Sequence, residues 1–200
     1  MIINFLSWSA VIILLVAALL LLLTRDWRWS LALLGIEYLA VFWFTQQHWT
    51  LTMAAVKLVT GWMAVTILGI TRSALDPKIA TVTRKTAPES RLFRTLATLL
   101  VFILVISITP ALADLLPGIG LMEVAGSLTL ISMGLLLLGL TTQVVPVIIA
   151  LLSFLAGFEI LYAAVENSTL VAALLALINL GMALVGSYLL ISAIEGEELN

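Results

Sequence analysis

Glu37, Lys57 and Glu159 are ionisable side chains set deep inside apolar stretches of this 200-residue chain. Glu37 lies in Leu33-Leu34-Gly35-Ile36-Glu37-Tyr38-Leu39, and Glu159 lies in Leu155-Ala156-Gly157-Phe158-Glu159-Ile160-Leu161. Each carboxylate follows a glycine by two positions. An ionised side chain near a bilayer centre costs at least about 2.5–3.5 kcal/mol, so such groups usually face a protein interior and mark an ion or proton path. A carboxylate beside an ammonium can change protonation when a neighbouring charge moves. The chemistry these residues offer is therefore the handling of protons or small cations.

The elements that hold them must be membrane helices. The chain is 63% apolar with a mean hydropathy of +1.25, and only 10% of its residues are charged. Soluble domains run near ~25% charged. A span needs about 20 apolar residues, and seven candidates emerge at roughly 2–23, 29–45, 48–71, 92–112, 120–140, 146–165 and 168–194. The fold class is all-α, a polytopic helical bundle with no room for a separate soluble domain. Residues 1–23 lack a basic leading region and a small-residue cleavage site, so they read as a retained first helix rather than a signal peptide.

Cations set the expected orientation. Arg25 and Arg28 lie between the first two spans, and Arg72, Lys78, Arg84, Lys85, Arg91 and Arg94 lie in or beside the long polar stretch before the fourth. Seven spans put both groups on one side, which the positive-inside rule makes cytoplasmic. The expectation is a multi-pass protein of the inner (cytoplasmic) membrane. Its N-terminus would be outside, and its acidic tail Glu195-Gly196-Glu197-Glu198 would be cytoplasmic. Trp8, Trp27, Trp29, Trp43 and Trp49 fall near predicted helix ends, as an aromatic belt does. The basic loop suits lipid headgroups or the docking of a cytoplasmic partner.

The halves repeat. The offset of 122 that carries Glu37 onto Glu159 also carries Gly35 onto Gly157 and Lys57 onto Asn179. The expected organisation is a first three-helix unit over 1–72 and a cytoplasmic basic loop over 73–91. A spacer helix and turn follow over 92–119, then a second three-helix unit over 120–200. Such parallel repeats are common in transport proteins.

Within the first unit, Glu37 and Lys57 sit at similar depth on helices joined by a tight loop. They are expected to pair, either as titrating groups or as a static clamp. Glu159 has no cation in its own unit. It is expected to be protonated at rest, to bond to Asn179, or to meet a cation from another subunit. His48 reads as an interfacial histidine with no special role. Asp114 and Glu123, flanking Pro117-Gly118, read as solvated. Glu166, Asn167, Ser168 and Thr169 read as turn and capping residues. Pro146 suits the first turn of a helix. Gly126, Gly134, Gly139, Gly181 and Gly186 are expected to permit close helix approach. No cysteine is present, so thiolate metal sites, disulfides and iron–sulfur ligation are excluded. No cofactor is expected in this chain, and nothing resembles a nucleotide loop, a catalytic triad or a nucleic-acid surface.

The stretch Leu138-Gly139-Leu140-Thr141, then Gly157-Phe158-Glu159-Ile160, then the Asn179 helix resembles two related proteins. These are the three-helix K subunit of respiratory complex I and the C subunit of Mrp-type antiporters. Those proteins carry a glutamate on the second helix and another on the third. Glu159 matches the first, and Asn179, or a position within a turn of it, falls where the second would be, a departure from the two-carboxylate pattern of those proteins. Over most of its length the chain is similar to the E subunit of hydrogenase-4-type complexes, through Trp27-Arg28-Trp29-Ser30, Lys57 and Arg72. The resemblance implies a membrane-arm subunit of a complex-I-like assembly, non-catalytic on its own. Antiporter-like membrane subunits and cytoplasmic iron–sulfur redox subunits would be its partners. Glu37, Lys57 and Glu159 would be titrating groups of a proton or sodium path, with Asn179 beside them. A purely structural membrane subunit, an Mrp-type exchanger component and a stand-alone small transporter are the alternatives.

Overall fold

The computed structural model describes the backbone over residues 2–24, 26–79, 89–116 and 118–198, and side chains over 7–24, 26–75, 92–116 and 118–193. Seven helices follow one another: α1 (Ile2–Leu23), α2 (Trp27–Thr45), α3 (Leu51–Ile79), α4 (Glu89–Leu115), α5 (Leu121–Leu140), α6 (Val144–Val165) and α7 (Thr169–Glu198). No strand occurs among the described residues. Stretches of α3, α4, α5, α6 and α7 are long and apolar enough to cross a membrane, so the chain is built as an integral membrane protein. In α1 the apolar segment with described side chains is shorter, Ser7–Leu23.

Local chemistry sets several ends. The Asp26 carboxylate accepts from the Arg28 backbone N–H at 2.9 Å and caps α2. The Glu123 carboxylate reaches back to the Gly120 N–H at 3.0 Å and opens α5. Gly118 turns the chain between α4 and α5 at φ +99°, a conformation few residues but glycine adopt. Pro146 falls in the first turn of α6, where its missing N–H costs nothing.

The helix ends depart from the sequence expectation around the basic segment. Helix α3 runs on to Ile79 and α4 begins at Glu89, so much of the expected 73–91 loop is helical. Helix α3 keeps its helical backbone through Ile79, past the apolar membrane-length stretch that ends at Leu75. Arg25, Lys78, Arg84, Lys85 and Arg91, like the acidic tail, lie outside the described side chains.

The helices pack as two rows of three. In one row α1 touches α2 and α2 touches α3; in the other α5 touches α6 and α6 touches α7. The rows face each other in register, with α1 on α5, α2 on α6 and α3 on α7, while α4 lies outside against α5 and α1. The centre therefore contains two square wells, each walled by four helices. One is bounded by α1, α2, α5 and α6, the other by α2, α3, α6 and α7.

Glycines let the backbones of α5 and α6 approach closely along their seam. A Cβ added at Gly134 would stand 2.8 Å from the Ala150 carbonyl and the Phe154 nitrogen. One added at Gly157 would stand 2.8 Å from the Ser127 carbonyl and from Leu130 Cβ. Ser127 Oγ donates to the Gly157 carbonyl at 2.7 Å, so the seam is bonded as well as packed. Gly126 and Gly186 also meet close side chains, whereas Gly139 and Gly181 meet nothing within 4 Å, contrary to expectation. The latter two lie on faces turned away from neighbouring helices.

Candidate functional site: two polar wells between the helix rows

The well bounded by α2, α3, α6 and α7 receives one polar side chain from each wall: Tyr38, Lys57, Glu159 and Asn179. Lys57 Nζ forms an ion pair with Glu159 Oε2 across the diagonal from α3 to α6. Asn179 Nδ2 donates to Glu159 Oε1 at 3.5 Å from α7. The Tyr38 ring lies 5.7 Å from Lys57 Nζ, within range of a cation–π contact. Glu159 and Asn179 are 0% exposed and Lys57 is 3% exposed.

The second well, bounded by α1, α2, α5 and α6, receives Glu37. Its Oε2 accepts from Ser153 Oγ at 2.6 Å. Beside them lies a cavity of about 10 Å³, otherwise lined by Ala18, Leu21, Leu130, Met133, Gly134 and Leu137. That is space for about one water molecule.

The expected Glu37–Lys57 pair is not formed. Glu37 and Tyr38 are adjacent in sequence, and a helix rotates each residue by about 100° from the last. Tyr38 takes the side facing α3, where its ring lies against Gly61, a position at which any Cβ would overlap it. Glu37 is turned into the other well. Lys57, reaching past the tyrosine ring, finds Glu159 instead. Glu159 thus has a cation after all, supplied by the first unit of its own chain, with the expected Asn179 bond alongside. Helix α6 mirrors α2, placing Ser153 in one well and Glu159 in the other.

The buried groups lie at similar depth. At 1.5 Å per residue, Lys57 is about 9 Å from the start of α3, Glu159 about 9 Å from the end of α6 and Glu37 about 12 Å from the end of α2. Those ends are tied together. The Trp49 indole N–H donates to the Glu166 carbonyl at 3.0 Å, and its ring meets Tyr162 edge-on at 6.5 Å. His48 Nε2 lies 2.9 Å from Glu123 Oε2, joining the α2–α3 turn to the start of α5.

Sequence reasoning missed further contacts besides the Lys57–Glu159 pair. Glu123 is 6% exposed, not solvated, because it holds both Gly120 and His48. His48 therefore has a partner the sequence did not signal. Ser153 gave only the faint signal of a lone hydroxyl in a long apolar run. Asp114 is exposed as expected. No cluster of three metal-ligating side chains occurs among the described residues.

The arrangement can hold charge inside an apolar bundle. A buried ion pair needs close geometry and further hydrogen bonds to offset desolvation, and the well supplies the contact itself with one such bond, from Asn179 Nδ2 to Glu159 Oε1. No protein-family model, curated protein or solved structure matches this chain.

Proposed function

We propose that this chain is a membrane-arm subunit of a complex-I-like or group 4 hydrogenase-like assembly. In it, Glu37, Lys57, Glu159 and Asn179 form part of a proton or sodium path coupled to redox chemistry in partner subunits. The observation that carries the reading is the pair of wells at similar depth, one holding Glu37 and the other Lys57, Glu159 and Asn179, all of them buried. Burying three ionisable groups in a bilayer is costly, and function is the usual return on that cost. The resemblance of the Glu159 segment to the complex I K subunit and the Mrp C subunit, and of the stretch from Trp27 through Lys57 to Arg72 to the hydrogenase-4 E subunit, supports the same assignment. In this reading all seven helices span the inner membrane, with the N-terminus outside and the two matched rows arising from a parallel repeat.

Co-purification tests it first. Antiporter-like subunits with iron–sulfur partners, captured on a C-terminally tagged chain in mild detergent, are the expected result. Antiporter-like subunits alone would indicate an Mrp-type exchanger. A folded monomer or homodimer would overturn the assembly reading. In vesicles holding the intact complex, Glu37→Gln and Glu159→Gln are expected to leave assembly unchanged and to reduce ion pumping coupled to electron transfer. Undiminished pumping in both removes the path from these residues.

One observation favours a second reading. Lys57 and Glu159 join the two rows, and the cavity at Glu37 admits about one water. A static clamp has that form. Under it, replacing Lys57 and Glu159 together with methionine leaves pumping intact once assembly is restored.

A further inference from the structure

Ser153 uses its hydroxyl differently from the buried threonines. Thr45, Thr109 and Thr129 each donate to the carbonyl four residues back in their own helix, at 3.0, 2.6 and 2.7 Å. That local bond is the common use of a hydroxyl inside a helix. Ser153 instead donates across the bundle, from α6 to Glu37 Oε2 on α2. The bond forms at the edge of the cavity that holds about one water.

The walls of that cavity decide which cation can occupy it. Glu37 and Ser153 are the lining residues whose side chains carry oxygen. The other lining side chains are aliphatic except for the Met133 thioether, a soft ligand that does not suit a hard cation. Glu37, Met133, Gly134 and Ser153 lie well inside helices, where a carbonyl already bonds to the N–H four residues on. A small cation gives up its water only where protein oxygens replace it. Ca²⁺, of nearly the same radius as Na⁺, takes about 6–8 oxygens. Two carboxylate oxygens, one hydroxyl oxygen and one water do not complete such a shell. Widening the cavity for a hydrated ion would part the α5–α6 seam. Gly134 belongs to both, and there α5 already packs on the Ala150 carbonyl and the Phe154 nitrogen. The Ser127–Gly157 bond closes the same seam.

A proton needs no such shell. It needs one acceptor and, in transit, one water. We propose that the Glu37 well takes up a proton and excludes sodium. A hydronium in the cavity gives its proton to Glu37 Oε1 and is left as water, while Oε2 keeps the Ser153 bond. The carboxylate becomes a neutral carboxyl, so atoms and charge balance without a further ligand. This selectivity narrows the proton or sodium path proposed above and rests on that reading for its part in pumping.

Infrared difference spectroscopy of the full chain in lipid films tests the site. Acidification is expected to produce the C=O band of a protonated carboxyl, identified by its shift in heavy water. Glu37→Gln removes that band. Ser153→Ala moves it to higher frequency by removing its hydrogen bond, so the assignment stands even where one variant fails to fold. At the midpoint of the titration, replacing choline with sodium at constant pH is expected to leave the band unchanged. Loss of the band on adding sodium overturns the proposal. So does the absence of a Glu37 carboxyl band at every pH. A band already complete in alkaline buffer overturns it as well, since a carboxyl that never ionises takes up no proton. If the band behaves as expected while Glu37→Gln leaves pumping by the intact complex undiminished, the site keeps its selectivity and the path reading fails alone.

Discussion

Lys57 should be coupled to Glu159 and not to Glu37, and a double-mutant cycle measures that coupling. Lys57 is 3% exposed and Glu159 is 0% exposed, so neither can turn to water when its partner is removed. Removing one member of such a buried pair costs about 3–5 kcal/mol, because the other charge is left uncompensated. Replacing both with apolar groups of similar volume is often neutral or favourable. Lys57→Met and Glu159→Met should therefore each lose about 3–5 kcal/mol, while the double variant recovers most of the loss. The coupling energy should therefore approach the sum of the two single losses. Glu37→Met with Lys57→Met should show no comparable recovery, since Ser153 and the cavity, not Lys57, face Glu37. The assay is reversible unfolding in mixed detergent micelles, followed by tryptophan fluorescence. Recovery through Glu37 and none through Glu159 would refute the two-well arrangement.

Two further predictions separate packing from polarity. Gly134→Leu should disrupt the α5–α6 seam, costing more than about 3 kcal/mol because backbone atoms of α6 cannot yield, whereas Gly139→Leu should stay within about 0.5 kcal/mol in the same unfolding assay. Tyr38 is 1% exposed, and its hydroxyl is buried without a hydrogen-bond partner among the described residues. Tyr38→Phe should therefore change stability by less than about 1 kcal/mol or raise it, while Tyr38→Ala should lose about 3–5 kcal/mol with the ring.

Periodicity and length made the helices legible. Apolar runs of membrane length, punctuated by Arg25–Arg28, Gln46–His48 and Glu166–Asn167, mark all seven to within a few residues except at the basic segment. Burial of Glu37, Lys57, Glu159 and Asn179 was also legible, because a polar side chain midway along an apolar helix has few other places to go. Their pairing was not. Whether Glu37 or Tyr38 faces α3 is a rotation of one residue, and both neighbouring positions are surrounded by leucine. What decides it is Gly61, a distant residue on another helix, whose missing side chain admits the tyrosine ring. The His48–Glu123 contact was hidden for a related reason. The two lie 75 positions apart and meet because the rows stack in register, a fact of tertiary packing that short-range pattern does not contain.

The count of charges in the two wells bears on what the proposed path would move. Among the described residues, two carboxylates and one ammonium line the two wells, and the ammonium is engaged by Glu159. Asn179 stands where a repeat of Lys57 would fall, and it brings a hydrogen bond but no charge. Ser153 likewise gives Glu37 a donor and no charge. One ammonium cannot balance two ionised carboxylates, and an uncompensated charge in a bilayer interior is expensive. In the proposed path the balance would be completed by one more positive charge, a proton or a small cation, held at Glu37, which Lys57 does not face. If Lys57 were to leave Glu159, that carboxylate would take the additional charge in its turn. The two wells are joined by α2, which sends Glu37 into one and Tyr38 into the other, and by α6, which sends Ser153 into one and Glu159 into the other, so a charge taken up in one well would be held on the same helices that wall the other.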